Sequence, residues 1–101
     1  MSVNIGMVNT FPNVKPDKAQ VMKIAEETLE VFSAWEVWVR HPATYTDMSS
    51  VMREKYCRNR LLDECADVIQ ATSNLIAALG VEDFTPYMQA CKERNHERGR
   101  L

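Results

Sequence analysis

Residues 61–80 read LLDECADVIQATSNLIAALG, and their spacing decides the class of the fold. Leu61, Leu62, Val68, Ile69, Thr72, Leu75, Ile76 and Leu79 recur at helical steps and make a wide apolar face. Gly80 follows directly, a residue suited to the left-handed turn past a helix end. This helical region starts near Ser49 or Ser50, and the pause around Tyr56–Asn59 allows a break into a short helix and a longer one. Upstream, Pro16 and Asp17 suit the first turn of another helix. It runs to about Val39, because His41 precedes Pro42 and a residue before proline avoids the helical region. Val21, Ile24, Thr28, Phe32, Trp35 and Val39 form its apolar stripe.

Residues 41–48, HPATYTDM, read as a loop. Thr85 as N-cap and Pro86 behind it open a last helix that ends near Gly99. Residues 1–15 are an extended arm, apolar in places but without helical period and broken by Pro12. No segment alternates apolar and polar residues as a half-buried strand does. The expected fold is therefore all-α: a single domain over residues 16–101, with three to four helices. Phe32, Trp35 and Trp38 together carry more apolar surface than a small bundle needs. A homodimer or homotetramer that completes a four-helix layer across a two-fold axis is the expected answer.

The bulk numbers exclude several classes. At 101 residues the chain is one domain, and 46% hydrophobic with 26% charged residues is globular composition. A net charge of −2 lends no support to binding nucleic acid or a membrane surface. No run of about 18 apolar residues suggests a membrane span, and MSVNIGMVNTFPNV is not a signal peptide. Cys57, Cys65 and Cys91 are odd in number and form no C-x-x-C pair. Free thiols in a reducing cytoplasm are expected, not a disulfide framework or a zinc site.

The chemistry lies in two acidic segments, EETLE at 26–30 and ECAD at 64–67. Each puts two carboxylates three residues apart, on one side of a helix. At 100° per residue, Lys23, Glu27, Glu30 and Ala34 fall between roughly 180° and 240° from Val21. Arg60, Glu64, Asp67, Ala71, Asn74 and Ala78 fall between roughly 220° and 300° from Leu61. Both acidic strips border the apolar faces, where facing carboxylates would repel. A hard cation such as Mg²⁺, which takes oxygen ligands, removes that repulsion. Glu26, about 140° from Val21, points away from Glu27. Lys23 and Arg60 sit beside the acids, able to balance them or to meet phosphate. Lys92, Arg94, Arg98 and Arg100 cluster with Asn95 near the end of the chain. They suit either the helix dipole or a phosphate. His41 and His96 belong to a loop and a tail, and no Ser-His-Asp or Cys-His arrangement is present.

E-E-x-x-E followed by E-x-x-D, on an all-helical chain of this length, resembles the MazG-like nucleoside triphosphate pyrophosphohydrolases. That superfamily of all-α NTP pyrophosphatases includes dimeric dUTPases and phosphoribosyl-ATP pyrophosphatases. Residues 61–80 look like the family's second motif helix, with Asp67 and the pair Asn74-Leu75. The end, CKERNHERGRL, is similar to a K-x-R-N-x-x-R-G-R tail. The resemblance covers roughly residues 17–101, with a spacer between the acidic motifs longer than usual. It implies Mg²⁺, or Mn²⁺ in its place, on Glu27, Glu30, Glu64 and Asp67, and leaves Glu26 a second-metal role, a water-positioning role or none. It implies hydrolysis of nucleoside triphosphates to a monophosphate and pyrophosphate, as house-cleaning of nucleotide pools. Water attacks at the α-phosphorus. Arg94, Asn95 and Arg98 would bind the triphosphate. Asn74, one face down from Asp67, suits either the sugar or base or a capping or core-satisfying role. Related substrates are dUTP, dCTP or phosphoribosyl-ATP. A non-catalytic helical oligomerisation module is the reading from another class.

Overall fold

A computed structural model describes residues 1–40 and 48–101. Three helices follow in order: α1 (Lys18–Arg40), α2 (Ser50–Ala78) and α3 (Thr85–Glu97). The described residues contain no strand. The loop expected at 41–48 lies outside the described residues except for Met48. Residues 1–15 form no regular element.

The helix ends follow from local chemistry. Asp17 Oδ1 accepts the Gln20 N–H at 3.1 Å and closes the first turn of α1. Ser49 Oγ accepts the Met52 N–H at 3.2 Å and caps α2. At the other end Gly80 has φ +82°, Gly80 N–H donates to Ala77 O (2.9 Å), and Val81 N–H donates to Ile76 O (3.3 Å). That pairing satisfies carbonyls the helix leaves open, and the left-handed φ favours glycine.

Two expectations about helix limits need correction. The break at Tyr56–Asn59 does not occur: α2 is one helix of 29 residues. Tyr56, Arg58 and Asn59 are exposed there while Cys57 is buried, so the apolar pause is a surface strip of a continuous helix. Thr85 is not an N-cap but the first residue of α3. Asp83 Oδ1 takes the Thr85 N–H at 3.0 Å. Hydrogen bonding from the Thr85 hydroxyl first, and then from its N–H, holds the Asp83 carboxyl below its usual range. Phe84 stacks on Tyr87 at 5.1 Å.

α1 and α2 pack as an antiparallel pair. Trp38 Nε1 donates to Glu54 Oε2 (3.1 Å) at one end, and Gln20 Nε2 donates to Ala71 O (3.1 Å) at the other. Arg53 Nη2 also donates to Trp38 O. This register brings Glu27 opposite Glu64, each seven residues inward from Gln20 and Ala71.

The covered side of α1 is not the apolar stripe. Of Val21, Ile24, Thr28, Phe32, Trp35 and Val39 only Ile24 is half-buried, and the rest are exposed. The covered line runs through Gln20, Ile24, Glu27, Val31, Ala34 and Trp38. The core is correspondingly thin. Its buried apolar residues are Ala34, Cys57 and Ala71, joined by the buried polar Glu27 and Asn74. Among the described residues no large side chain is fully buried. The chain exposes 8177 Å² and has a radius of gyration of 16.9 Å. A compact monomer of this mass would expose roughly 5,800 Å², with a radius of about 13 Å.

Candidate metal centre

The antiparallel register carries the site. Glu27 and Glu30 come from one side of α1, and Glu64 reaches across from α2. One carboxylate oxygen from each lies within 4.8 Å of the others. Glu27 is buried, Glu64 half-buried and Glu30 exposed, so the trio opens to solvent at Glu30. Small residues make this approach feasible. Ala34 and Ala71, one or two turns away on the two helices, are buried and hold the backbones close.

Three negative groups in this space are uncomfortable alone. The Glu30 carboxyl is pushed above its ordinary value of 4.5. The first cause is a hydrogen bond shared with Glu64, followed by the charges of Glu27 and Glu64 and some desolvation, with Lys23 opposing. That shared bond requires a proton. Glu64 Oε2 is a buried oxygen with no hydrogen-bond partner among the described residues, which is costly. Either a proton or a cation relieves it. An all-carboxylate donor set is what a hard divalent ion takes.

Lys23 answers part of the charge. Its Nζ lies 3.0 Å from Glu27 Oε1 and 3.6 Å from Glu26 Oε2. Its pKa is raised, first by the Glu27 hydrogen bond, then by the charges of Glu27 and Glu26. Glu26 is exposed and reaches the site through Lys23.

Asp67 stands outside the trio. It lines a cleft of about 430 Å³ that also includes Glu27, Lys23 and Asn74. Asn74 is 3% exposed, and its Oδ1 accepts from Phe11 N–H (3.0 Å) and Gln70 Nε2 (3.0 Å). Arg60 is half-buried on α2, one turn before Glu64. Arg94, Asn95 and Arg98 belong to α3 and its C-cap, and none of them lines the cleft. Asn95 instead donates to Cys91 O at 3.0 Å and accepts from Arg100 Nη1 at 3.4 Å, which ties the tail to its own helix. Cys57, Cys65 and Cys91 are free. No helix among the described residues is long and apolar enough to cross a membrane.

Phe11, Gln20 and Gln70 also belong to this cleft and went unnoticed in the sequence. Their bonds span 63, 51 and 61 residues, so no local spacing announces them. The available signal was Asn74 itself: an amide on a strip bordering the core must find partners. No protein-family model, curated protein or solved structure matches the chain.

Proposed function

We propose that the chain is a divalent-cation-dependent pyrophosphohydrolase of nucleoside triphosphates, a house-cleaning activity on nucleotide pools. The observation that carries this reading is the trio of Glu27, Glu30 and Glu64, with Glu64 Oε2 buried and unpartnered. The resemblance of the two acidic segments to the MazG-like enzymes supports it. Glu27, Glu30 and Glu64 would hold Mg²⁺, or Mn²⁺ in its place, and Asp67 would join them from the adjoining cleft. When bound, the ion supplies neutralisation of phosphate charge, a fixed orientation and a more acidic water.

The chain's own residues do the rest. Lys23 offers a cation to phosphate oxygens at the cleft wall, and Glu26 steadies it from the far side. Arg60 contributes positive charge one turn away. Water adds at the α-phosphorus, the bond to the α–β bridging oxygen breaks, pyrophosphate leaves and a proton is released. No covalent intermediate is required. Arg94, Asn95 and Arg98 would serve the triphosphate only if a second copy brought its α3 to the cleft.

We infer that second copy from the thin core. The exposed stripe of Phe32, Trp35 and Val39, and a surface excess of roughly 2,300 Å² over a compact monomer, suit a permanent homo-oligomer interface. A two-fold axis along α1 would build a four-helix layer. Free thiols suit a reducing, cytoplasmic setting.

Pyrophosphate release across a panel of triphosphates, including dUTP, dCTP and phosphoribosyl-ATP, tests the reading. Release that requires Mg²⁺ is expected. No release from any of them would leave a helical oligomerisation module.

A further inference from the structure

The N-terminal arm is held in place by α2 without being buried by it. Asn74 takes the Phe11 N–H at 3.0 Å, and Gln70 Nε2 donates both to Asn9 O (2.9 Å) and to Asn74 Oδ1 (3.0 Å). These bonds fix the main chain around Phe11. Phe11 is 58% exposed and lines the 430 Å³ cleft beside the trio. Its anchoring sets a flat apolar face over a cleft of a size usual for small-molecule sites.

The cleft is polarised along its length. Glu27, Lys23 and Asp67 make one end charged. The other end has the Phe11 ring and the amides of Gln20, Gln70 and Asn74. Asn74 lies ten residues beyond Glu64 on α2, about 15 Å along the axis. The floor between them is Ala71, a buried methyl that leaves the space open. Charge at one end and an aromatic face with amides at the other match a nucleotide laid along the groove. Its phosphates would lie at the acids and its base at the arm.

We propose that the cleft between α1 and α2, covered by the N-terminal arm, is a nucleobase site in which the Phe11 ring stacks on the base. It rests on the pyrophosphohydrolase reading for the position of the phosphates. The Gln20 amide, fixed through its bond to Ala71 O, stands at the cleft wall within reach of the base edge. The arm thus supplies a specificity element that the helices lack.

The test is equilibrium binding to the full chain with Mg²⁺ present. The two ligands are an α,β-methylene nucleoside triphosphate, which resists hydrolysis, and inorganic tripolyphosphate, which has no base. Phe11→Ala should weaken the nucleotide analogue by roughly 5- to 150-fold, the usual range for loss of one base–aromatic stack. It should leave tripolyphosphate unchanged, and Phe11→Trp should restore the analogue. An equal loss for both ligands would make the arm a structural strap and overturn the site. So would an unchanged analogue, a changed oligomeric state with unchanged binding, or no binding of the analogue to wild type. The two proposals separate cleanly. Phe11-dependent nucleotide binding without pyrophosphate release would keep this site and remove the hydrolysis. Pyrophosphate release insensitive to Phe11→Ala would do the reverse.

Discussion

The two sides of α1 depart from those of an ordinary surface helix. The side turned to α2 carries the buried Glu27 among Gln20, Ile24, Val31, Ala34 and Trp38, while the side turned to solvent carries Val21, Phe32, Trp35 and Val39. An amphipathic helix usually exposes its carboxylates and buries its large apolar side chains. The difference separates two roles. Glu27 and Glu64 bring carboxylate charge into the seam of the α1–α2 pair, with Glu30 at its open edge. Apolar surface is left outside, where another copy of the chain can cover it.

Breaking the inner side should have the largest effect. Glu64→Gln removes a trio charge without changing side-chain volume. Turnover should fall by about 10²- to 10³-fold, as for loss of one electrostatic contact to the reacting group. Circular dichroism should show the helices intact. Asp67→Asn tests whether the neighbour outside the trio is equally required. Lost pyrophosphate release in a folded variant would include it, and retained release would exclude it.

Filling the inner side should stabilise the fold. Binding to the folded form alone adds about 2.7 kcal/mol at one hundred times Kd. A thermal melt should shift upward with millimolar Mg²⁺ in wild type and much less in Glu64→Gln. Equal shifts in both would place the ion elsewhere.

The outer side is tested by Trp35→Ala. Burying a large apolar side chain is worth about 1.5–3 kcal/mol, and each copy would lose up to that amount at the interface. Sedimentation should show dissociation at lower dilution than for wild type. A wild-type chain that is monomeric at micromolar concentration would remove the second copy from the account.

Helix positions were legible in the sequence because their signals are local. Ser49, Gly80 and the three- and four-residue spacing act within one or two turns. Of the four acids expected to converge, Glu27, Glu30 and Glu64 come together and Asp67 does not. The three-residue spacing within each segment put the acids on common helix sides, but the α1 stripe they border faces solvent, not the core. The direction of that stripe was not legible. Periodicity says that Phe32 and Trp35 share a face, but not which chain covers it. The place of Asp67 was also hidden, because its distance from the trio depends on how closely α1 approaches α2. The partnership of Phe11 with Asn74 spans 63 residues and leaves no periodic trace.

The smallest expected effect is on pH dependence, because Glu30 is exposed and water screens it. Its folded pKa is raised, so its protonated form favours the folded state. That contribution is complete below the ordinary value of 4.5 and is lost as pH rises through the higher folded value. Metal-free wild type should therefore lose melting temperature over that window relative to Glu30→Gln. Mg²⁺ should restore it at neutral pH. Parallel pH profiles for the two proteins would show that the trio carries no strain.

The most direct measurement is anomalous diffraction from crystals grown with Mn²⁺. The account predicts a peak bounded by carboxylate oxygens of Glu27, Glu30 and Glu64, at the roughly 2.0–2.6 Å typical of hard divalent cations. A well-ordered trio with no peak, or a peak bound only at other residues, would contradict it.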